Sequence, residues 1–140
     1  MKKKSVLFLC THNSARSQMA EGLLRGLFGS EYDAFSAGTE PGRVNPYVAR
    51  AMAEIGLDIS GHRSKHLNEF IDMDLDYLVT VCDNAKESCP FFPGGKTVLH
   101  RSFRDPSSFK GTDEEIMTGV RQVRDEIKDW ILKQFGGKQV

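Results

Sequence analysis

Ser5-Val6-Leu7-Phe8-Leu9-Cys10-Thr11-His12-Asn13-Ser14-Ala15-Arg16-Ser17 decides how the rest of the chain is read. Ser5 to Leu9 is rich in Val, Leu and Phe, which predicts a buried strand ending at Cys10. From about Ser17 the apolar residues recur at helical spacing (Ala20, Leu23, Leu24, Leu27, Phe28), and Gly29 stops that helix. Between strand and helix stand a cysteine, five residues and an arginine. A short loop in that place can wrap its backbone N–H groups around a tetrahedral oxyanion, and the helix N-terminus adds positive potential. Arg16 supplies a planar fork that bonds two oxyanion oxygens at once. The same field favours the thiolate of Cys10, and Ser17 can donate a hydrogen bond to that sulfur. The candidate oxyanion-binding residues are Thr11, His12, Asn13, Ser14, Ala15, Arg16 and Ser17, with His12 contributing backbone N–H rather than imidazole. A buried strand-end cysteine beside a surface arginine is the plainer alternative, and the polar far side of Cys10 argues against it. No Gly-Lys-Ser/Thr follows the loop, which excludes a P-loop nucleotide site.

The same alternation continues downstream. Tyr32 to Ser36 reads as a second strand. Asn45-Pro46 starts a helix, with a capping side chain and a proline in the first turn. Val48, Ala51, Met52 and Ile55 form its buried face, and Gly56 ends it. Tyr77 to Cys82 is a further buried strand, and Thr97 to His100 a weaker one. Thr112 with Glu115 forms a capping box before a helix lined by Ile116, Val120, Val123, Ile127, Ile131 and Phe135 and ended by Gly136-Gly137. Strands alternating with helices predict an α/β three-layer sandwich, its parallel strands covered on both faces. Ligands in such sheets bind outside the carboxyl ends of the strands, so Cys10 and Cys82 can face one crevice.

The chain has 140 residues, which fits one domain over 1–140. That length buries a core without disulfides or a structural metal. Its 19 basic and 19 acidic residues cancel, which argues against a general nucleic-acid binder. Met1-Lys2-Lys3-Lys4 resembles the charged region of a signal peptide, but the apolar run after it reaches only from Val6 to Leu9. That is too short for a signal core or a membrane span, so a cytoplasmic protein is expected. Three cysteines in a reducing compartment point to catalysis or redox chemistry rather than a disulfide framework.

The loop and the Ser17-Gln18-Met19-Ala20-Glu21-Gly22 after it resemble the low-molecular-weight tyrosine phosphatase superfamily, and within it the thioredoxin-coupled arsenate reductases. The resemblance extends through Ser36-Ala37-Gly38, Val44-Asn45-Pro46 and Val123-Arg124-Asp125-Glu126-Ile127. It implies a four-stranded parallel sheet flanked by helices. Val81-Cys82-Asp83-Asn84-Ala85-Lys86-Glu87-Ser88-Cys89-Pro90 separates the subfamilies. Phosphatases of this fold need only the loop cysteine, whereas the reductases carry a pair placed like Cys82 and Cys89, followed by proline. The resemblance implies a relay from Cys10 to Cys82 to Cys89, with arsenate as substrate, phosphate or sulfate as its mimics and thioredoxin as reductant. Asp83 to Ser88 is expected to form a short helix. Cysteines seven apart on a helix lie about 10 Å apart along its axis, so the segment must unwind to form a disulfide.

The resemblance also makes Asp105, in Arg104-Asp105-Pro106, the general acid. Asp-Pro is also a common turn pair. Ser107-Ser108 follows where the phosphatases usually place an aromatic, which suits a small oxyanion. His62, His66 and His100 read as surface or packing residues. Some members hold a potassium ion near the loop with side chains like Asn13, Glu21, Ser36 and an aspartate. Lys65 stands where that aspartate is expected, which puts the ion site in doubt and offers an ammonium for its charge role. No other metal or cofactor is expected, nor any membrane association, and the protein is expected to be a monomer. The competing activities are a low-molecular-weight protein tyrosine phosphatase, which needs Cys10, Arg16 and Asp105 alone, and a non-catalytic oxyanion or metal sensor.

Overall fold

A computed structural model describes residues 2–82 and 94–136 of the chain. The apolar run of the opening stretch forms β1 (Lys4–Cys10), and the helical spacing after it forms α1 (Arg16–Phe28). Next come β2 (Tyr32–Gly38), α2 (Pro46–Ala53), a 3-10 turn at Leu67–Phe70, β3 (Tyr77–Thr80) and β4 (Thr97–His100). A second 3-10 turn at Pro106–Ser108 precedes the long α3 (Asp113–Gly136). The four strands lie in the order β2-β1-β3-β4 and every neighbouring pair is parallel. The chain thus has the expected α/β sandwich with a four-stranded parallel sheet.

The period-two alternation of strand side chains divides the core. Val6, Phe8, Ala34 and Val79 face α1, α2 and α3, packing with Leu23, Leu24, Met52, Val120, Val123, Ile127 and Ile131. Leu7, Leu9, Ala37 and Leu78 face the other way, against Leu67, Phe70 and Leu75 from the first 3-10 turn and its flank. The layers are therefore unequal among the described residues, three α-helices on one face and a short turn on the other. Phe135 closes the helical layer, its ring edge-on to Phe8, Tyr32, Tyr77 and Trp130. No helix of the described residues is long and apolar enough to cross a membrane.

Element boundaries shift where tertiary pairing overrides local pattern. β2 runs on to Gly38 rather than stopping at Ser36, because the Ala37 and Gly38 backbones pair with Leu9 and Cys10. β3 stops at Thr80, so Cys82 lies just past the strand rather than at its last position. The two 3-10 turns have no periodic signal in the sequence. The expected helix at 83–88, and Cys89, lie outside the described residues. Caps behave as their side chains dictate. Asn45 accepts from Tyr47 N–H at 2.9 Å, and Thr112 and Glu115 exchange side-chain-to-backbone bonds at 3.0 and 3.2 Å.

An exposed clamp joins α2 to α3. Glu54, at the end of α2, accepts from Arg121 Nε and Nη2, at 2.8 Å for the shortest, and from Arg124 Nη1 at 3.0 Å. Hydrogen bonds from Arg121, then Arg124, hold the Glu54 carboxyl down to about 2 from 4.5. A depressed carboxylate contributes stability above its unfolded value and loses it as pH falls toward its folded one. We expect the thermal midpoint of the protein to lose this contribution as pH falls from 4.5 to about 2, and Glu54→Gln to show a shallower fall across that window. Equal slopes for the two proteins would remove the clamp from the acid response.

Candidate active site

The site grows from the carboxyl end of β1. Cys10 ends the strand, and α1 begins at Arg16 with Ala15 at its cap position, a residue with no side-chain acceptor to cover the first N–H groups. Asn13 takes φ = 50°, the left-handed region that a side chain occupies only at a cost. That turn brings Asn13 N–H to 3.2 Å from Cys10 Sγ. Ser17 Oγ lies 2.8 Å from the same sulfur and accepts from Asn13 Nδ2 at 2.8 Å. Because Ser17 Oγ already accepts from the amide, its own proton is free to point at Cys10. Asn13 N–H and Ser17 Oγ thus converge on one buried sulfur.

Arg16 is buried and reaches across to the loop after β4. Its Nη1 donates to Phe103 carbonyl oxygen at 3.3 Å, and Nη2 lies 3.8 Å from Asp105 Oδ2. Asp105 caps the second 3-10 turn, its Oδ1 accepting from Ser107 N–H at 3.0 Å. Ser107 Oγ in turn accepts from Asn45 Nδ2 at 3.1 Å, and Asn45 N–H donates to Ser14 carbonyl oxygen at 2.9 Å. The acid loop, the start of α2 and the cysteine loop are thus tied together. Thr11 carbonyl oxygen accepts from Glu40 N–H at 2.9 Å. The His12 ring bonds Glu40 carbonyl oxygen through Nδ1 at 3.0 Å. Cys82 is fully buried beyond β3, the strand paired with β1. It is disulfide-bonded, whereas Cys10 is a free thiol.

Residues 5–135 match the family of low molecular weight phosphotyrosine protein phosphatases. The chain belongs to that family. A curated relative, the arsenate reductase of Halalkalibacterium halodurans, is 46% identical over 127 residues, 91% of each chain. Among solved structures, an arsenate reductase in its phosphate-binding state superposes with a TM-score of 0.73 at 32% identity, over 93% of this chain and 98% of that one. The low molecular weight protein tyrosine phosphatase from T. tengcongensis shares the fold, with a TM-score of 0.76 at 22% identity over 96% and 99%.

In this member of the phosphatase family a cluster of charges backs the loop. Glu21 is buried on α1, takes a short hydrogen bond from Ser36 Oγ, and lies 2.7 Å from Arg25 Nη2 and 3.7 Å from Lys65 Nζ. Lys65 Nζ also donates to Arg63 carbonyl oxygen at 2.9 Å and approaches Ser36 Oγ at 3.5 Å. The oxygens of Glu21 and Ser36, which a potassium ion would require, already face an ammonium. Burial holds the Lys65 amine below its ordinary value, opposed by the attraction of Glu21. No group of three His, Cys, Asp or Glu side chains suited to a metal occurs among the described residues.

The structure brings Cys10, Arg16 and Asp105 together and leaves Cys89 outside the described residues. Sequence reasoning missed two contributors. His62, read as an ordinary surface or packing residue, bonds Gln18 Oε1 through Nδ1 at 2.9 Å and meets Arg25 Nη1 through Nε2 at 3.2 Å. His66 and His100 do prove local, one capping the first 3-10 turn and the other bonding Thr80. Gly38 is the second omission. A Cβ there would stand 2.4 Å from Thr11 carbonyl oxygen and 2.9 Å from Cys10 carbonyl oxygen. The glycine lets β2 lie against the loop backbone, and Ser36-Ala37-Gly38 was the visible signal. We expect Gly38→Ala to displace the loop and cut turnover by at least about tenfold, with a stability loss of roughly 1–3 kcal/mol from overpacking. Wild-type kinetics in a folded Gly38→Ala protein would refute that tight approach.

Proposed function

We propose that the protein reduces arsenate to arsenite, with Cys10 as nucleophile and Cys82 and Cys89 as a redox pair recycled by thioredoxin. The observation that carries the reading is the contrast between the thiols: Cys82, beyond the strand next to β1, is disulfide-bonded while Cys10 is free. A phosphatase has no use for such a pair. The naming of the 46%-identical relative as an arsenate reductase supports the same reading.

Arsenate has the tetrahedral shape and charge of phosphate, so the loop N–H groups and Arg16 receive either, and sulfate too. The Cys10 thiolate forms a bond to arsenic while Asp105 gives a proton to a departing oxygen, which leaves as water. The 3.8 Å between Arg16 Nη2 and Asp105 Oδ2 is too long for a direct hydrogen bond, and it sets guanidinium and carboxyl side by side at the loop. Cys82 thiolate then attacks Cys10 Sγ. The sulfur–arsenic bond breaks, its electron pair stays on arsenic, and arsenite leaves behind a Cys10–Cys82 disulfide. Cys89 attacks Cys82, frees Cys10, and yields the Cys82–Cys89 disulfide that an external dithiol reduces. Such a cycle needs a reducing compartment, which makes the cytoplasm the proposed location.

The test couples arsenate to NADPH oxidation through thioredoxin and its reductase. We expect arsenate-dependent consumption over many turnovers. Cys10→Ser should abolish it, and Cys89→Ser should stop after one turnover with Cys10 and Cys82 joined. Continued turnover by Cys89→Ser would refute the relay. Aryl phosphate hydrolysis without arsenate-dependent NADPH loss would establish a phosphatase instead.

The Lys65 ammonium, rather than potassium, is proposed to balance Glu21 behind the loop. Replacing potassium with choline at constant ionic strength should then leave kcat/KM unchanged. A marked fall on potassium removal would show that an ion still binds there.

A further inference from the structure

Gln18 sits one residue beyond the serine that touches Cys10, and it is fully buried. Its Nε2 donates to Asn13 carbonyl oxygen at 3.1 Å, to Asn13 Oδ1 at 3.0 Å and to Arg63 carbonyl oxygen at 3.0 Å. The opposite amide orientation would set an oxygen against three oxygens, so this direction is fixed by chemistry. Gln18 Oε1 can only accept, so His62 Nδ1 carries the proton between them at 2.9 Å. Arg25 Nη1 can only donate, so His62 Nε2 accepts from it at 3.2 Å. Those two contacts describe a neutral imidazole, in keeping with the downward push that burial exerts on His62.

The orientation passes onward. Asn13 Oδ1 accepts from Gln18 and from Lys65 N–H at 2.8 Å, so Asn13 Nδ2 must face Ser17 Oγ, 2.8 Å away. With that bond made, Ser17 Oγ keeps its own proton available for Cys10 Sγ, 2.8 Å away. Asn13 N–H reaches the same sulfur from the left-handed conformation at φ = 50°. Lys65 N–H fixes which way the Asn13 amide points. Gln18 grips both the backbone and the side-chain oxygen of Asn13, and joins them to the 62–63 segment.

We propose that Gln18 is a positioning residue: its buried amide, oriented by His62, holds Asn13 left-handed and so holds both hydrogen bonds that converge on Cys10 Sγ. It touches neither the sulfur nor an oxyanion. The proposal rests on the assignment of Cys10 as nucleophile, and its test needs no arsenate.

The test is the pH profile of Cys10 alkylation by iodoacetamide in the fully reduced protein, the adduct located by mass spectrometry. Gln18→Leu should keep the high-pH plateau rate while its rising limb moves to higher pH. The rate at neutral pH should drop about tenfold. Gln18→Glu keeps the size and the acceptor for His62 but loses the donors to Asn13, and should shift the same way. It serves as the deciding variant should Gln18→Leu fail to fold, as judged by its thermal midpoint. A profile superimposable on wild type in a folded variant overturns the proposal, as does a lowered plateau with an unmoved limb, which marks mere loss of access. The nucleophile assignment fails separately: wild-type Cys10 would then react at neutral pH no faster than the other thiols of the unfolded chain.

Discussion

The rest of the site depends on Asn13 standing left-handed beneath Cys10. At φ = 50° its N–H reaches the sulfur while its side chain reaches Ser17. A residue with a Cβ is disfavoured there by roughly 1–2 kcal/mol. Such a conformation persists only where the surroundings over-determine it. Here the surroundings are Gln18 from α1, Lys65 N–H from the segment after α2, and Gly38 at the end of β2, whose missing Cβ gives the loop room. A strained loop residue therefore makes residues 62–65 part of the site, although they touch no reacting atom.

The cost of burying charge is met in the same region. Arg16, Glu21 and Arg124 are all buried. An unpaired ion in such places is far less stable than in water, so each is expected to carry partners. Glu21 draws Ser36, Arg25 and Lys65 around it, and Arg16 bonds Phe103 and faces Asp105. In both arrangements a buried ion keeps an opposite charge within reach, at 2.7 and 3.7 Å around Glu21 and at 3.8 Å beside Arg16.

Much of the fold was legible because its signals are local. The apolar run before Cys10, the spacing of Ala20, Leu23 and Leu24, the Asn45-Pro46 start and the Thr112–Glu115 box each depend on neighbours in the chain. The ends of β2 and β3 were less legible, since pairing across the sheet sets where a strand stops. His62 was less legible for the same reason. Its meaning comes from Gln18, which is 44 residues away, and nothing beside it in the sequence points there.

The sequence by itself determined the chemistry on offer. A cysteine, five residues and an arginine between strand and helix gather backbone N–H groups and a helix N-terminus at one point, a setting that suits an anion. Family membership and the presence of three cysteines are likewise properties of the residue string. Only the tertiary structure decided which side chains orient that chemistry. Hydrogen bonds have direction, and the direction of the Asn13 amide toward Ser17, beside Cys10, is set by Gln18 and Lys65. Lys65 acquires its place beside Glu21 and Ser36 only when the chain after α2 folds back across the loop. Proximity between residues distant in sequence is a property of packing, and no pattern along the chain encodes it residue by residue.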